Sequence, residues 1–328
     1  MGNSGASRVA ALHGDGGHNL MEAPMAKAVR FDSYGGTDVL YVADVDIPSP
    51  AAGEAVVKVE AAGINPGEAS IRQGLGRFPA TFPSGEGSDL AGVVHLLGDG
   101  VSEFSVGDEV LGWSWERSSQ AEYIAVPAGQ LILKPPALSW PVAGSLYVVG
   151  VTAYAAVRAV AVRPGETVAV SAAAGGVGTL VTQLLKVRGA HVIGIASEPN
   201  HDWLRSHDVT PVSYGEGLKE RILALAPNGV DAFIDLFGPE YVRLAVELGV
   251  PPDRIETIIS FDAAKDYGTK AEGSGDATTT EVLAEMAELV ATGQIEVPIA
   301  ATYPLDRVRD AYDELEKRHT RGKIVLIP

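Results

Sequence analysis

The stretch from Thr167 to Ser197 constrains this chain more than any other. Residues 167–171 form a short β-branched apolar run. It passes into Ala172, Ala173, Ala174, Gly175, Gly176, Val177 and Gly178. Leu180, Val181, Leu184, Leu185 and Val187 then recur at helical spacing, and a second apolar run begins at His191. Strand, glycine turn, helix and strand make the βαβ unit that seats the pyrophosphate of a dinucleotide. The glycines allow a tight turn and let a phosphate approach the backbone, while the helix points its first amides and positive dipole end at the anion. The usual G-x-G-x-x-G pattern carries Ala173 at its first glycine position, with Gly175 and Gly178 at the other two. The flanking strands and helix supply the context that a bare glycine pattern lacks, so a bound dinucleotide is expected. The competing reading is a glycine-rich connection that holds no ligand.

The end of the second strand points to the kind of dinucleotide. A site for NAD places an acidic residue about 20 residues beyond the glycines to bind the ribose 2′-hydroxyl. Ala196 and Ser197 stand there, Glu198 follows, and Pro199 turns the chain. No carboxylate opposes a 2′-phosphate, and Ser197, Asn200 and His201 offer hydrogen bonds to one. NADPH is therefore expected over NADH. Arg205 is the nearest cation, and His201 reads equally well as a solvated loop histidine.

The 328 residues suffice for two domains. The net charge of −17, from 42 acidic and 25 basic residues, argues against nucleic-acid or anionic-membrane binding as a main role. It also means that an anionic cofactor must be held by local geometry. There is no cysteine, which rules out disulfides, cysteine zinc sites and thiol catalysis, and fits a cytoplasmic location. No apolar run reaches the roughly 18–20 residues of a membrane span. No Gly-x-Ser-x-Gly elbow of a hydrolase is present.

Residues 1–24, rich in Gly, Ser, Asn and Ala, read as a disordered leader or tag outside the fold. From Met25 to about Pro136 the signals are short strands punctuated by Gly and Pro, namely 26–31, 54–60, 90–97, 106–112 and 121–126. They predict a partly open antiparallel barrel. From about Val148 helices and strands alternate, with a helix expected from Thr152 to Val162 and strands over 230–236 and 255–261. That alternation predicts a doubly wound parallel sheet. Helices over 281–292 and 305–318 and a closing strand over 322–327 follow. The expected division is a barrel domain of 25–147 and 276–328 around a dinucleotide domain of 148–275.

An N-terminal β domain, a dinucleotide domain and a short C-terminal return together resemble the medium-chain dehydrogenase/reductase superfamily. Within it the chain is similar to the zinc-independent quinone oxidoreductases, the zeta-crystallin-like group. The resemblance spans Met25 to Pro328 and is carried by Ala61 to Pro66, Gly87 to Val94, Val106 to Val110, Val151 to Tyr154, Ala172 to Gly178, and Arg321 to Leu326. It implies an α/β fold with a GroES-like barrel and a Rossmann domain. It also implies that Asn65 and Thr152 lie near the nicotinamide, and that Gly175, Gly176 and Val177, ahead of Gly178, meet the pyrophosphate. Ser197, His201 and Tyr214 would surround the 2′-phosphate. Phe237, Gly238, Ser260 and Phe261 would line the cleft, and Lys323 would approach the cofactor. Each residue has a plainer reading: Asn65 before Pro66 can cap a turn, Thr152 can cap the next helix, Tyr214 can be a strand-end aromatic, and Phe237 and Phe261 can be core.

The zinc members of the superfamily carry a cysteine near Asn65 and a His-Glu pair where this chain has Ser88 and Asp89. Asn, Ser and one Asp do not make a three-ligand zinc site. The implied chemistry is metal-free hydride delivery from NADPH to a quinone or an α,β-unsaturated carbonyl. Tyrosines common in the segment matching 70–76 are replaced, as Ser70 and Gly76 show, so that either solvent protonates the product or the substrate differs from a simple quinone. Phe78, Phe82, Trp113 and Trp115 are the expected wall for a flat apolar substrate, or alternatively domain packing. The rival readings are an enoyl-thioester reductase of the same fold and a cofactor-binding redox sensor or structural protein with little catalysis. Pairing into a homodimer is usual among relatives, through the edge of the dinucleotide sheet.

Overall fold

The computed structural model describes residues 25–75 and 79–328. The expected leader, Gly76 and the expected pocket residue Phe78 lie outside the described residues. The chain opens with β1 (Met25–Phe31), β2 (Tyr41–Asp46) and β3 (Glu54–Gly63). Helix α1 (Pro66–Arg72) and the short β4 (Ser84–Gly85) precede β5 (Asp89–Leu97), β6 (Glu109–Trp113), β7 (Tyr123–Pro127) and β8 (Leu131–Leu133). Two helices, α2 (Trp140–Ala143) and α3 (Leu146–Ala159), lead into an alternating region. It runs β9 (Thr167–Val170), α4 (Gly176–Val187), β10 (His191–Ile195), α5 (His201–Ser206), β11 (Thr210–Val212), α6 (Leu218–Leu225), β12 (Ala232–Asp235), α7 (Pro239–Glu247) and β13 (Ile255–Thr257). Last come α8 (Phe261–Tyr267), α9 (Thr280–Ala291), β14 (Ile299–Pro304), α10 (Val308–Glu316) and β15 (Lys323–Ile327).

The expected two-part α/β architecture is present. The N-terminal strands form a sheet of order β14-β15-β3-β5-β6-β8, with β7 also paired to β3. Its pairs are antiparallel except β14 with β15. The register of β3 against β5 shifts twice, between Val56 and Val57 and between Val59 and Ala61, and such bulges bend a sheet toward a barrel. Val57, Val59, Leu90, Val94, Val110 and Ile124 fill its interior. A small sheet of order β2-β1-β4 lies alongside.

The second sheet is fully parallel, in the order β11-β10-β9-β12-β13. Val168, Ala169 and Val170 of β9 are completely buried because helices cover both faces. Strand order reverses between β9 and β12, and in sheets of this kind the ligand crevice lies beyond the carboxyl ends of the strands at that point. The outer edge of β13 is met by a one-residue bridge from Lys270, whose amide donates to Ile255 O and whose carbonyl accepts from Thr257 N. The chain then returns to the first sheet: β15 pairs antiparallel with β3, placing Val325 opposite Gly63.

Two sequence expectations are corrected. The helix expected from Thr152 begins at Leu146, so Thr152 is in its interior and caps nothing. The run 146–151 hides the helix start because all of its residues but Val148 are buried, which leaves no polar stripe to mark a helical period. The strand expected over 255–261 stops at Thr257, and Phe261 instead opens α8. The Thr257 hydroxyl accepts the amide of Ser260 and donates to Asp235, folding this β-branched run into a turn.

Candidate functional site

The glycine turn begins at Ala172, whose φ of +45° is left-handed. Ala173 N donates to Ile195 O, and Gly175 N donates to Ala172 O. The first helical bond of α4 runs from Thr179 N to Gly175 O. The amides of Gly176, Val177 and Gly178 precede it and project from the helix end, as an anion requires. A Cβ on Gly178 would sit 2.1 Å from Ala172 O, so the turn closes only with glycine there. Ala173 is tolerated because its neighbour on β10 is Gly194, where a Cβ would come 3.0 Å from the Ala173 methyl. The missing first glycine is thus compensated across the sheet. These open amides fit the pyrophosphate of a dinucleotide.

Asp235 builds the crevice beside the turn. Its Oδ1 accepts from Ser171 Oγ (2.9 Å), Phe237 N (2.9 Å) and Gly238 N (3.0 Å). Its Oδ2 accepts from Thr257 Oγ1 (2.7 Å) and Ser260 Oγ (3.0 Å). One buried carboxylate therefore fixes the ends of β9, β12 and β13 together. Ser260 gives its proton to this hub, and Phe261 follows it at the start of α8. Phe237 is partly exposed, edge-on to Tyr241. The Arg318 guanidinium lies 5.8 Å from its ring centroid.

Ser197, Asn200 and His201 gather at the end of β10. Asn200 Nδ2 donates to Ser197 Oγ, and His201 Nε2 lies 3.3 Å from Ala196 O. Tyr214 is exposed beyond β11. Arg221 binds the carbonyls of Ser213 and Glu216, which holds the loop that carries Tyr214. Arg205 pairs with Asp202 at the surface.

Asn65 and Lys323 belong to a buried polar cluster below the crevice. Asn65 is the N-cap of α1, and its amide donates to Glu68 Oε2. Asn65 Nδ2 donates to Glu68 Oε1 (3.1 Å) and Asp89 Oδ2 (3.0 Å). Lys323 Nζ donates to Asn65 Oδ1 (2.5 Å), Ile64 O (2.9 Å) and Asp89 Oδ2 (3.2 Å). Asp89 Oδ1 accepts Val148 N at the start of α3. Tyr312 OH and Ser88 N complete the shell of Glu68. Burial, then the neighbouring Asp89 charge, pushes the Glu68 carboxyl up against these donors. Behind it Arg72 lies over the Tyr312 ring and pairs with Glu86, whose carboxyl burial pushes up to about 8.

The structure thus brings Asn65, Asp89 and Lys323 together, with the Asn65 amide protons already committed. Thr152 Oγ1 donates to Val148 O within its own helix at 2.5 Å. Trp113 is buried and stacked on Tyr147, with ring centroids 4.9 Å apart and planes 11° apart. Trp115, 56 % exposed, sits edge-on to both rings. Phe82 is exposed and edge-on to Phe31 and Tyr34. Glu68, Tyr312, Tyr147 and Arg318 were missed by the sequence reading. Only Glu68 had a local signal, the N-cap to N3 spacing of a capping box.

Known proteins with this arrangement are numerous. A family model described as an alcohol dehydrogenase GroES-like domain matches residues 51–137. One described as a zinc-binding dehydrogenase matches residues 205–326. The quinone oxidoreductase of Pseudomonas aeruginosa is 30 % identical over 93 % of this chain and its own full length. Quinone oxidoreductase 1 of Escherichia coli gives the same identity and coverage. Among solved structures, the quinone oxidoreductase from Coxiella burnetii superposes with a TM-score of 0.83 at 30 % identity, covering 93 % of this chain and 100 % of that one. The Escherichia coli quinone oxidoreductase complexed with NADPH gives 0.82 at 26 % identity, covering 92 % and 100 %. The chain belongs to the medium-chain dehydrogenase/reductase superfamily, in its quinone oxidoreductase group.

Proposed function

We propose that this protein is an NADPH-dependent reductase that delivers hydride to a quinone or an α,β-unsaturated carbonyl without zinc. The observation that carries the reading is the glycine turn: three helix-end amides open onto a crevice, with no acid at the end of β10 to exclude a 2′-phosphate. The quinone oxidoreductase relatives and the NADPH complex of one of them support the same reading.

In this reading Gly176, Val177 and Gly178 bind the pyrophosphate through backbone N–H groups. Ser197, Asn200, His201 and Tyr214 receive the 2′-phosphate end. Phe237, Gly238, Ser260 and Phe261 wall the crevice along the cofactor. The reduced nicotinamide supplies the hydride when bound. The acceptor lies against Trp115 and Phe82, and its conjugated carbonyl already withdraws electrons, so orientation is the protein's main contribution. Asn65 and Thr152 shape the floor. Neither offers a free proton, because the Asn65 amide and the Thr152 hydroxyl donate within the protein. Water therefore supplies the proton to the reduced product. The position that holds zinc ligands in other members of the superfamily is filled here by the Lys323 ammonium on Asn65 and Asp89. The same reading divides the chain into a catalytic domain of 25–147 and 276–328 and a cofactor domain of 148–275.

The test is NADPH oxidation, followed optically, across 1,4-quinones, enones and enoyl thioesters. Turnover with quinones or simple enones is expected. Turnover confined to enoyl thioesters would replace the substrate class, and NADPH binding without turnover on any acceptor would remove the enzymatic reading.

A further inference from the structure

Lys323 touches both halves of the proposed site. Gly322 N donates to Ala174 O inside the glycine turn. A Cβ built on Gly176 would lie 3.4 Å from Lys323 Cδ and from Gly322 O, so the lysine stem runs directly beneath the turn. The side chain then passes to the other sheet, where the ammonium ends on Ile64 O, Asn65 Oδ1 and Asp89 Oδ2. Lys323 is 3 % exposed and Asp89 is fully buried. The three N–H donors meet three acceptors, which leaves none for a phosphate. A lysine that served as a phosphate ligand would keep a donor pointed into the crevice.

We propose that Lys323 is a positioning residue: a strut that sets the distance between a cofactor seated on the glycine turn and the reaction floor made by Asn65 and Asp89. This rests on the reductase reading above. The stem fixes the underside of the turn, and the ammonium fixes the rotation of the Asn65 carboxamide, whose Nδ2 then faces Asp89 and Glu68. Asp89 in turn anchors Val148 N, and with it the first turn of the helix that carries Thr152. Hydride transfer depends steeply on donor–acceptor distance, so a strut at this point acts on the rate of the chemical step and leaves cofactor affinity to the turn itself.

The experiment separates positioning from plain stability. Removing a buried ion pair as a whole is commonly neutral for folding, whereas removing one partner is not. The double variant Lys323→Met/Asp89→Asn removes both charges of the pair and keeps an acceptor for Val148 N. Its apo melting temperature is expected within about 4 °C of the parent. Its NADPH Kd, read by fluorescence titration, is expected within about threefold. Its kcat is expected to fall on the order of 100-fold, with a larger kinetic isotope effect from C4-deuterated NADPH as the chemical step becomes rate-limiting. A double variant with the parental kcat as well as the parental melting temperature would overturn the proposal and leave a structural ion pair. Should the double variant not fold, Lys323→Arg keeps the charge but displaces Asn65. It is expected to hold the melting temperature and lower kcat, and an unchanged kcat would overturn the strut. Parent protein without turnover on any acceptor would instead refute the reductase reading.

Discussion

The glycine turn and the Asn65–Lys323 cluster meet at one lysine side chain, yet they are built on opposite plans. The turn is contiguous in sequence, made of backbone, and open, with its amides facing outward. The cluster is assembled from positions 65, 68, 89, 312 and 323, made of side chains, and closed. In the proposed reading the first grips the cofactor and the second places the chemistry. The difference explains why a binding motif can be read locally, while the parts that orient a reaction emerge only after the chain has folded.

The largest effect is expected from opening the closed half. Lys323→Met alone leaves Asp89 buried without its cation, and should cost about 3–5 kcal/mol of stability, measured by denaturant unfolding. A loss below about 1 kcal/mol would show that this pair contributes no more than a surface ion pair.

The open half should respond in affinity, with a cost in stability only where a new methyl meets backbone. Gly178→Ala puts a methyl against Ala172 O, and should weaken NADPH binding on the order of 100-fold, about 2.7 kcal/mol, in a titration. Gly176→Ala meets only ordinary contacts at 3.4 Å, so the same titration should show a much smaller loss. Equal effects at the two positions would mean that the turn does not hold the phosphates as described.

A smaller effect is expected at the 2′ end. Ser197→Asp restores the acid that an NAD site uses, and should move the ratio of NADPH to NADH affinity toward NADH by about tenfold. An unmoved ratio would place the 2′-phosphate elsewhere.

The smallest effect concerns pH. Burial and the nearby Glu68 charge push Glu86 up to about 8 in the folded protein, against the ordinary carboxylate value of 4.5. The folded state therefore holds a proton that the unfolded chain releases, and stability falls as pH rises between those two values. Glu86→Gln should flatten the melting temperature across that window, while keeping the Arg72 contact. An unchanged slope would assign the pH dependence to other groups, of which Glu256, also pushed up to about 8, is the first candidate.

Much of the fold was legible in the sequence. Period-2 runs such as 54–60 and the apolar positions 180, 181, 184, 185 and 187 carry their own signal. Thr152 and Phe261 were misplaced because full burial and β-branched residues erase the period that marks a helix start or a strand end. Within the candidate site, the turn was legible except for the reason Ala173 is allowed, which lies across the sheet at Gly194. The place of Asn65 before Pro66 is legible, but its engagement is not. Its partners Asp89 and Lys323 are 24 and 258 residues away. Tyr312 reaches Glu68 from a helix whose pattern shows only an amphipathic surface. Arg318 stands in a basic run that reads as a solvated end, until the fold lays it over Phe237.

The proposed reductase takes NADPH and reduces a conjugated acceptor without a metal. Its most direct test is steady-state consumption of NADPH and NADH with a 1,4-quinone, before and after exhaustive chelation. The expected result is a kcat/KM for NADPH that exceeds that for NADH by at least about tenfold, with neither changed by chelation. Equal use of NADH, or activity lost on chelation and restored by zinc, would contradict it.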